Sequence, residues 1–207
     1  ENWAFEYMWD PMDDLLSGRS ISLYYYNLAY SLPLYLHIPA KTDNGNGLQF
    51  WWYASTVRHL GIGGVGDDKV RLAALKRAMQ QYLALKRYFA QGRFHGVDEL
   101  THIHSLPGEG AVVLWFNLDD GMLEKSVAID LREIGIEPQT LRGIEQVDAE
   151  GKGEHLPGLV RILRELIGSE PETFMRLGGI EAKQEEARLL LTVRIPSRSV
   201  ILARLLV

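Results

Sequence analysis

The spacing of apolar and polar residues divides the chain in two. In the first half, apolar runs alternate with polar breaks at a strand–helix rhythm. Asn2 to Trp9 is apolar and aromatic except for Glu6, reads as a buried strand, and is stopped by Asp10-Pro11. Met12 to Gly18 reads as a loop or short helical turn. Ser20 is placed to cap a helix to about Tyr30, with Ile21, Tyr24, Tyr25, Leu28 and Ala29 at near-helical spacing. Leu32 to Ile38 is a β-prone run. The polar loop Pro39 to Gly47 follows, too rich in Gly, Asn and Asp to be a strand. Leu48 to Val57 suits a helix and His59 to Ile62 a strand, closed by Gly63 and Gly64. Strand, loop, helix, strand is a βαβ unit, which predicts parallel strands. Lys69 to Ala90 carries a broad apolar face opposite Lys, Arg and Gln, with Asp67 as expected N-cap and Gly92 as expected stop.

The texture then changes. Gln91 to Gly110, with Gly92, Gly96, Pro107, Gly108 and Gly110, reads as a turn-rich connection. Residues 111–118, 123–131 and 140–148 read as strands, and 189–196 with 199–207 as a terminal hairpin around Pro196 and Ser197. Leu159, Ile162, Leu163, Leu166 and Ile167 fit a helix over 158–167, an exposed strand being the alternative. The expected organisation is an α/β part over 1–106 followed by an all-β antiparallel β-sandwich over 107–207.

Composition excludes several functions. A net charge of −5 with scattered Lys and Arg argues against a nucleic-acid surface. With no cysteine there is no disulfide framework, thiolate metal site or cysteine nucleophile. This fits a reducing or an oxidising compartment equally well, so the compartment stays open, with the cytoplasm the preferred reading. No apolar run reaches the ~18 residues of a membrane span, and no membrane partner is expected. No phosphate-binding glycine pattern and no GxSxG elbow occurs. His102 and His104 form an HxH pair near His95, but no third ligand is spaced to complete a metal site. Glu1 opens directly into an aromatic run, so the chain is expected to be the C-terminal part of a longer protein.

Three phrases carry a resemblance. LALKRYFAQGRFHGVDE resembles the final barrel helix and exit of α-galactosidase-like glycoside hydrolases. AVVLWFNLDDGMLEKSVAIDL resembles the opening hairpin of their C-terminal domain, and LTVRIPSRSVILARLL its closing strands. The resemblance implies the last βα units of a (β/α)8 barrel plus an accessory β-sandwich, with Asn2–Trp9, Leu32–Ile38 and His59–Ile62 as strands six to eight. The rest of the barrel would lie on the same or another chain. It implies hydrolysis of an α-linked sugar by two carboxylates, without metal or organic cofactor. Asp10 matches the acid/base position, and the nucleophile would lie outside this chain.

Read as residues, Asp10 follows an apolar strand and Trp9, a setting that raises a carboxyl pKa; equally, it caps the turn before Pro11. Asp43 and Asn44 lie beyond a strand end, where they either meet sugar hydroxyls or form an Asx turn. His37 alternates with Leu36 and Ile38 and so points toward a barrel mouth or is satisfied structurally, and Lys41 follows the same strand. Trp9 and Trp52 are candidates to stack on a pyranose ring, although aromatics on a short helix also serve as core. The expected substrate-binding set is therefore Trp9, His37, Lys41, Asp43, Asn44 and Trp52. The rival reading is a non-catalytic carbohydrate-binding or assembly protein with an incomplete barrel.

Overall fold

The structure, a computed structural model, describes residues 10–17, 20–147, 172–177 and 179–207. The expected first strand and Trp9 lie outside these residues, as does the expected helix over 158–167. The described chain forms three layers. A helical layer holds α1 (Pro11–Ser17), α2 (Ser20–Ala29), α3 (Leu48–Thr56) and α4 (Lys69–Gln91), with the short strands β1 (Tyr35–Pro39) and β2 (His59–Gly63). The middle layer is a five-stranded sheet of β3 (Arg93–Asp98), β4 (Thr101–Leu106), β5 (Gly110–Asn117), β7 (Gly143–Gln146) and β11 (Ser199–Leu206), in the order β3-β4-β5-β11-β7. The outer layer comprises β6 (Leu123–Asp130), β8 (Glu172–Leu177), β9 (Ile180–Glu185) and β10 (Arg188–Ile195), in the order β6-β10-β9-β8.

The βαβ unit forms as its pattern predicts: β1 and β2 pair in parallel, with His37 opposite Gly61. Two parallel strands are what the described residues show of it, and a barrel is not among them. Leu36 and Ile38 turn inward onto the aromatic face of α3. The long helix α4 starts at Lys69, as expected, but with a different cap. Asp68, not Asp67, is its N-cap, its carboxylate accepting from the N–H groups of Val70 (2.8 Å) and Arg71 (3.1 Å).

The middle sheet is apolar on both faces because both are covered. In β5, Val112, Leu114 and Phe116 pack against the helices, while Ala111, Val113 and Trp115 pack against the outer sheet. That explains why β5 is buried at every position, whereas β6 alternates.

Three expectations are corrected here. The stretch 91–110 is not a connection: β3 and β4 form an antiparallel pair continuous with β5, so the middle sheet begins at Arg93 and the switch expected at 106/107 falls inside it. Polar residues obscured this in the sequence, because Thr101, His102, His104 and Ser105 are all buried in β4. Strands β10 and β11 are not a hairpin. β10 pairs with β6 and β9, β11 with β5 and β7, so each is flanked on both sides and the short link must cross between sheets. β5 and β6 are likewise joined across the sandwich, so the expected opening hairpin is a second arch. The two arches meet at Asn117, a buried residue whose Nδ2 lies 2.7 Å from Gly121 O, 2.9 Å from Pro196 O and 3.1 Å from Ile195 O.

The edge of β3 is closed by helix α2 and the turn residue that follows it. Tyr26 Oη donates to Asp98 O (2.7 Å) and Tyr30 Oη to Gly96 O (2.5 Å). Both hydroxyls need a glycine beneath them, since a Cβ at Gly96 would lie 2.1 Å from one and 2.3 Å from the other.

Candidate functional site

The loop after β1 carries a dense cluster of polar contacts. A 3-10 turn over Ala40–Thr42 leads into Asp43, and Gly47, left-handed at φ 69°, opens α3 without a side chain to cap it. Asp43 supplies that cap from four residues upstream. One oxygen accepts from Asn44 N (2.7 Å) and Gln49 N (2.9 Å), and the other from Phe50 N (2.9 Å). Gln49 reinforces the turn, with Nε2 donating to Pro39 O (2.9 Å) and Oε1 accepting from Thr42 (2.7 Å). Asn44 forms an Asx turn: its Oδ1 accepts from Asn46 N and Leu48 N, while its Nδ2 donates to Arg198 O (2.8 Å) at the corner of the β10–β11 arch. Asn46 donates to the same carbonyl (3.1 Å).

This geometry decides between the alternatives for Asp43 and Asn44. Asp43 is 6 % exposed and both its oxygens are occupied by backbone N–H groups. Burial pushes its pKa up to about 6, against the pull of the three N–H donors and of Arg71. The folded pKa lies above the unfolded value, so the native state takes up a proton between about pH 4 and 6, and this group's contribution to stability falls as pH rises through that window. We expect the Asp43 carboxyl carbon to titrate near pH 6 by NMR; a midpoint below 4 would show that the N–H donors outweigh burial.

The remaining candidates are dispersed. Asp10 is exposed and caps α1, Oδ1 accepting from Met12 N (2.9 Å) and Asp13 N (3.3 Å). Lys41 is exposed; its N–H donates to Gly64 O (2.8 Å) and its carbonyl accepts from Arg71. His37 is half-buried on the face of β1 opposite Leu36 and Ile38, its ring lying over Gly61, where a Cβ would come within 3.0 Å. Trp52 is corrected outright as a stacking platform. It is fully buried, its ring packed against Tyr26, His102 and Phe116.

Two buried polar networks escaped the sequence reading. Asp14 accepts from Ser22 N (2.8 Å) and Ser22 Oγ (2.9 Å), and Ser22 Oγ meets Tyr53 Oη (2.8 Å). Between α3 and β4, His102 Nδ1 lies 2.6 Å from Ser55 Oγ and its Nε2 3.0 Å from Glu99 O, while His104 Nε2 lies 2.8 Å from Ser55 O. Both carbonyls require an Nε2–H donor, so each ring is the neutral Nε2–H tautomer. Burial pulls each down to about 3. The signal for this pair was the HxH repeat, which puts both rings on one face of a strand. Ser55 and His102 have no solvent access, so they are packing groups. Among the described residues no three His, Asp or Glu are grouped to hold a metal.

The chain is similar to two solved structures, the α-galactosidase I of Mortierella vinacea and a putative α-N-acetylgalactosaminidase of Bacillus halodurans C-125. The first is 12% identical with a TM-score of 0.45, over 79% of this chain and 36% of that one; the second is 14% identical with a TM-score of 0.42, over 80% and 31%. The chain thus spans about a third of the length of each. No protein family profile matches it, and no curated protein sequence does. No helix among the described residues is long and apolar enough to cross a membrane.

Proposed function

We propose that this chain is the C-terminal part of a (β/α)8-barrel glycoside hydrolase, with the antiparallel sandwich as its accessory domain. The observation that supports this reading is the parallel β1–α3–β2 unit, seated through α3 and α4 on a two-sheet sandwich. Two parallel strands cannot close on themselves, so the unit needs further strands beside it, on this or another chain. In the assembled barrel Asp10 acts as general acid on an α-linked sugar. Asp43, Asn44 and Trp52 act by shaping the fold, and His37 and Lys41 are the residues of this loop region left to meet substrate.

The test is an aryl α-glycoside assay of the barrel-complete protein. Asp10→Asn should lower turnover about 10²–10⁴-fold, the usual worth of a general acid. A substrate with a good leaving group should partly restore it, because departure then needs less protonation. Asp43→Asn should lower stability and leave kcat/KM of the folded fraction unchanged. Full activity in Asp10→Asn would refute the assignment.

A second reading, a non-catalytic carbohydrate-binding protein, is favoured by one cleft. A cleft of about 380 Å³ opens beside β3 and β6, where the exposed ring of Tyr30 stands near Arg93, His95, Asp130 and Glu133. An aromatic face with donors and acceptors around it suits a sugar ring. NMR titration of the chain with monosaccharides, watched at Tyr30 and Arg93, separates this from the first reading.

A further inference from the structure

The sequence contains two Asn-Gly pairs in tandem, Asn44-Gly45 and Asn46-Gly47, both in the loop that ties the helical layer to the arch corner. We propose that Asn46 is a spontaneous modification site: this loop deamidates selectively at Asn46, and the product loosens it from Arg198. The proposal is independent of any glycosidase activity.

The chemistry needs nothing but water. The backbone nitrogen of Gly47 attacks Cγ of the Asn46 amide. The bond from Cγ to Nδ2 breaks, and that nitrogen leaves as ammonia, carrying the Gly47 amide proton. The resulting succinimide adds water across one of its two carbonyl–nitrogen bonds, giving aspartate if the Cγ bond opens and isoaspartate if the main-chain bond opens. Glycine as the following residue has no Cβ to obstruct the attack, which holds for both pairs.

Geometry separates the two. The Asn44 amide is held at every polar atom: Oδ1 by Asn46 N (3.0 Å) and Leu48 N (3.2 Å), Nδ2 by Arg198 O (2.8 Å). Its carbonyl carbon therefore cannot swing toward Gly45 N without losing three hydrogen bonds. Asn46 is exposed and its side-chain amide is restrained by one bond of 3.1 Å, and the attacking Gly47 N is held by one bond of 3.2 Å to Asn44 O. Both lie at the long end of the hydrogen-bond range. The consequence follows from donor count. A carboxylate at 46 has no proton to give Arg198 O and faces it with like partial charge, while isoaspartate lengthens the main chain just before the left-handed Gly47 that opens α3.

The experiment holds the folded chain at mildly alkaline pH, with a urea-denatured sample beside it, and digests both with trypsin. Cleavage after Lys41 and Arg58 releases residues 42–58 as one peptide, in which fragmentation distinguishes position 44 from 46 and a carboxyl-methyltransferase reports isoaspartate. In urea the two sites should convert at similar rates. In the folded chain conversion at Asn46 should run several times ahead of Asn44. Equal rates in the folded chain, faster conversion at Asn44, or protection of both would overturn the assignment. Asn46→Asp should melt about 2–4 °C below the parent, the shift expected for one lost interaction in a chain of this size; an unchanged melting temperature would overturn the loosening.

Discussion

Urea unfolding of this chain is expected to show stability falling by about 1.4 kcal/mol per pH unit between pH 6 and 4, and faster below. Two buried groups drive the loss. His102 and His104 sit neutral between α3 and β4, pulled to about 3 chiefly by burial. The unfolded chain binds their protons from about pH 6.5 downward and the native chain does not, so acid favours unfolding. His95, pulled down by burial and by Arg93, acts in the same direction. Asp43 opposes them, because the native state already holds its proton near pH 6. Over pH 4–6 the balance is two protons against one. Below pH 4 Asp43 is protonated in both states and no longer opposes the histidines, so the loss steepens to about 2.7 kcal/mol per unit until the native rings protonate near pH 3. The loss sums to about 5.5 kcal/mol by pH 3, so acid unfolding near pH 3 is expected if the chain lies at the low end of the usual range of about 5–15 kcal/mol. Two variants check the attribution in opposite directions. In His104→Gln, whose amide can still donate to Ser55 O, the slope over pH 4–6 should be nearly flat. In Asp43→Asn it should roughly double. A parent whose stability is constant from pH 6 to 4 would mean the histidines reach water.

Trp52→Ala is expected to cost about 3–5 kcal/mol, the range for removing a fully buried large aromatic. The ring sits where α2, α3, β4 and β5 converge, touching Tyr26, His102 and Phe116, so its removal leaves a cavity with no single neighbour able to fill it. Its indole N–H has no hydrogen-bond partner among the described residues, so Trp52→Phe loses no polar contact and should cost well under half as much. Denaturant melts of the two variants decide it. If Trp52→Ala is as stable as the parent, the ring is not the packing centre described here, and a role in binding returns.

These residues also show what could be read from the chain alone. Helix α4 was legible because its period and its stop at Gly92 agree, and the βαβ unit because its strands are set off by Gly-rich loops. Strand partners were not legible. The alternation in 189–196 and 199–207 says that each buries one face, but not that the two faces belong to opposite sheets. The strands 93–98 and 101–106 were hidden by their own polarity: histidine, threonine and serine read as loop until Ser55 is known to stand opposite them. Asp43 was legible as either a site or a turn. What settled it was the bare N-terminus of α3, where Gly47 has nothing to offer and a carboxylate upstream must serve.

The strand order of the middle sheet bears on how the chain is made. β5, buried along its whole length, has β4 on one side and β11 on the other, and 81 residues separate β5 from β11. At ribosomal speeds of about 5–20 residues per second, one edge of β5 waits roughly 4–16 s for its partner. During that interval GAVVLWFN is an uncharged, β-prone edge with no proline, the kind of segment that pairs with another nascent chain. Yield in a cell should therefore depend on chaperone capacity and translation rate more than on the stability of the finished fold.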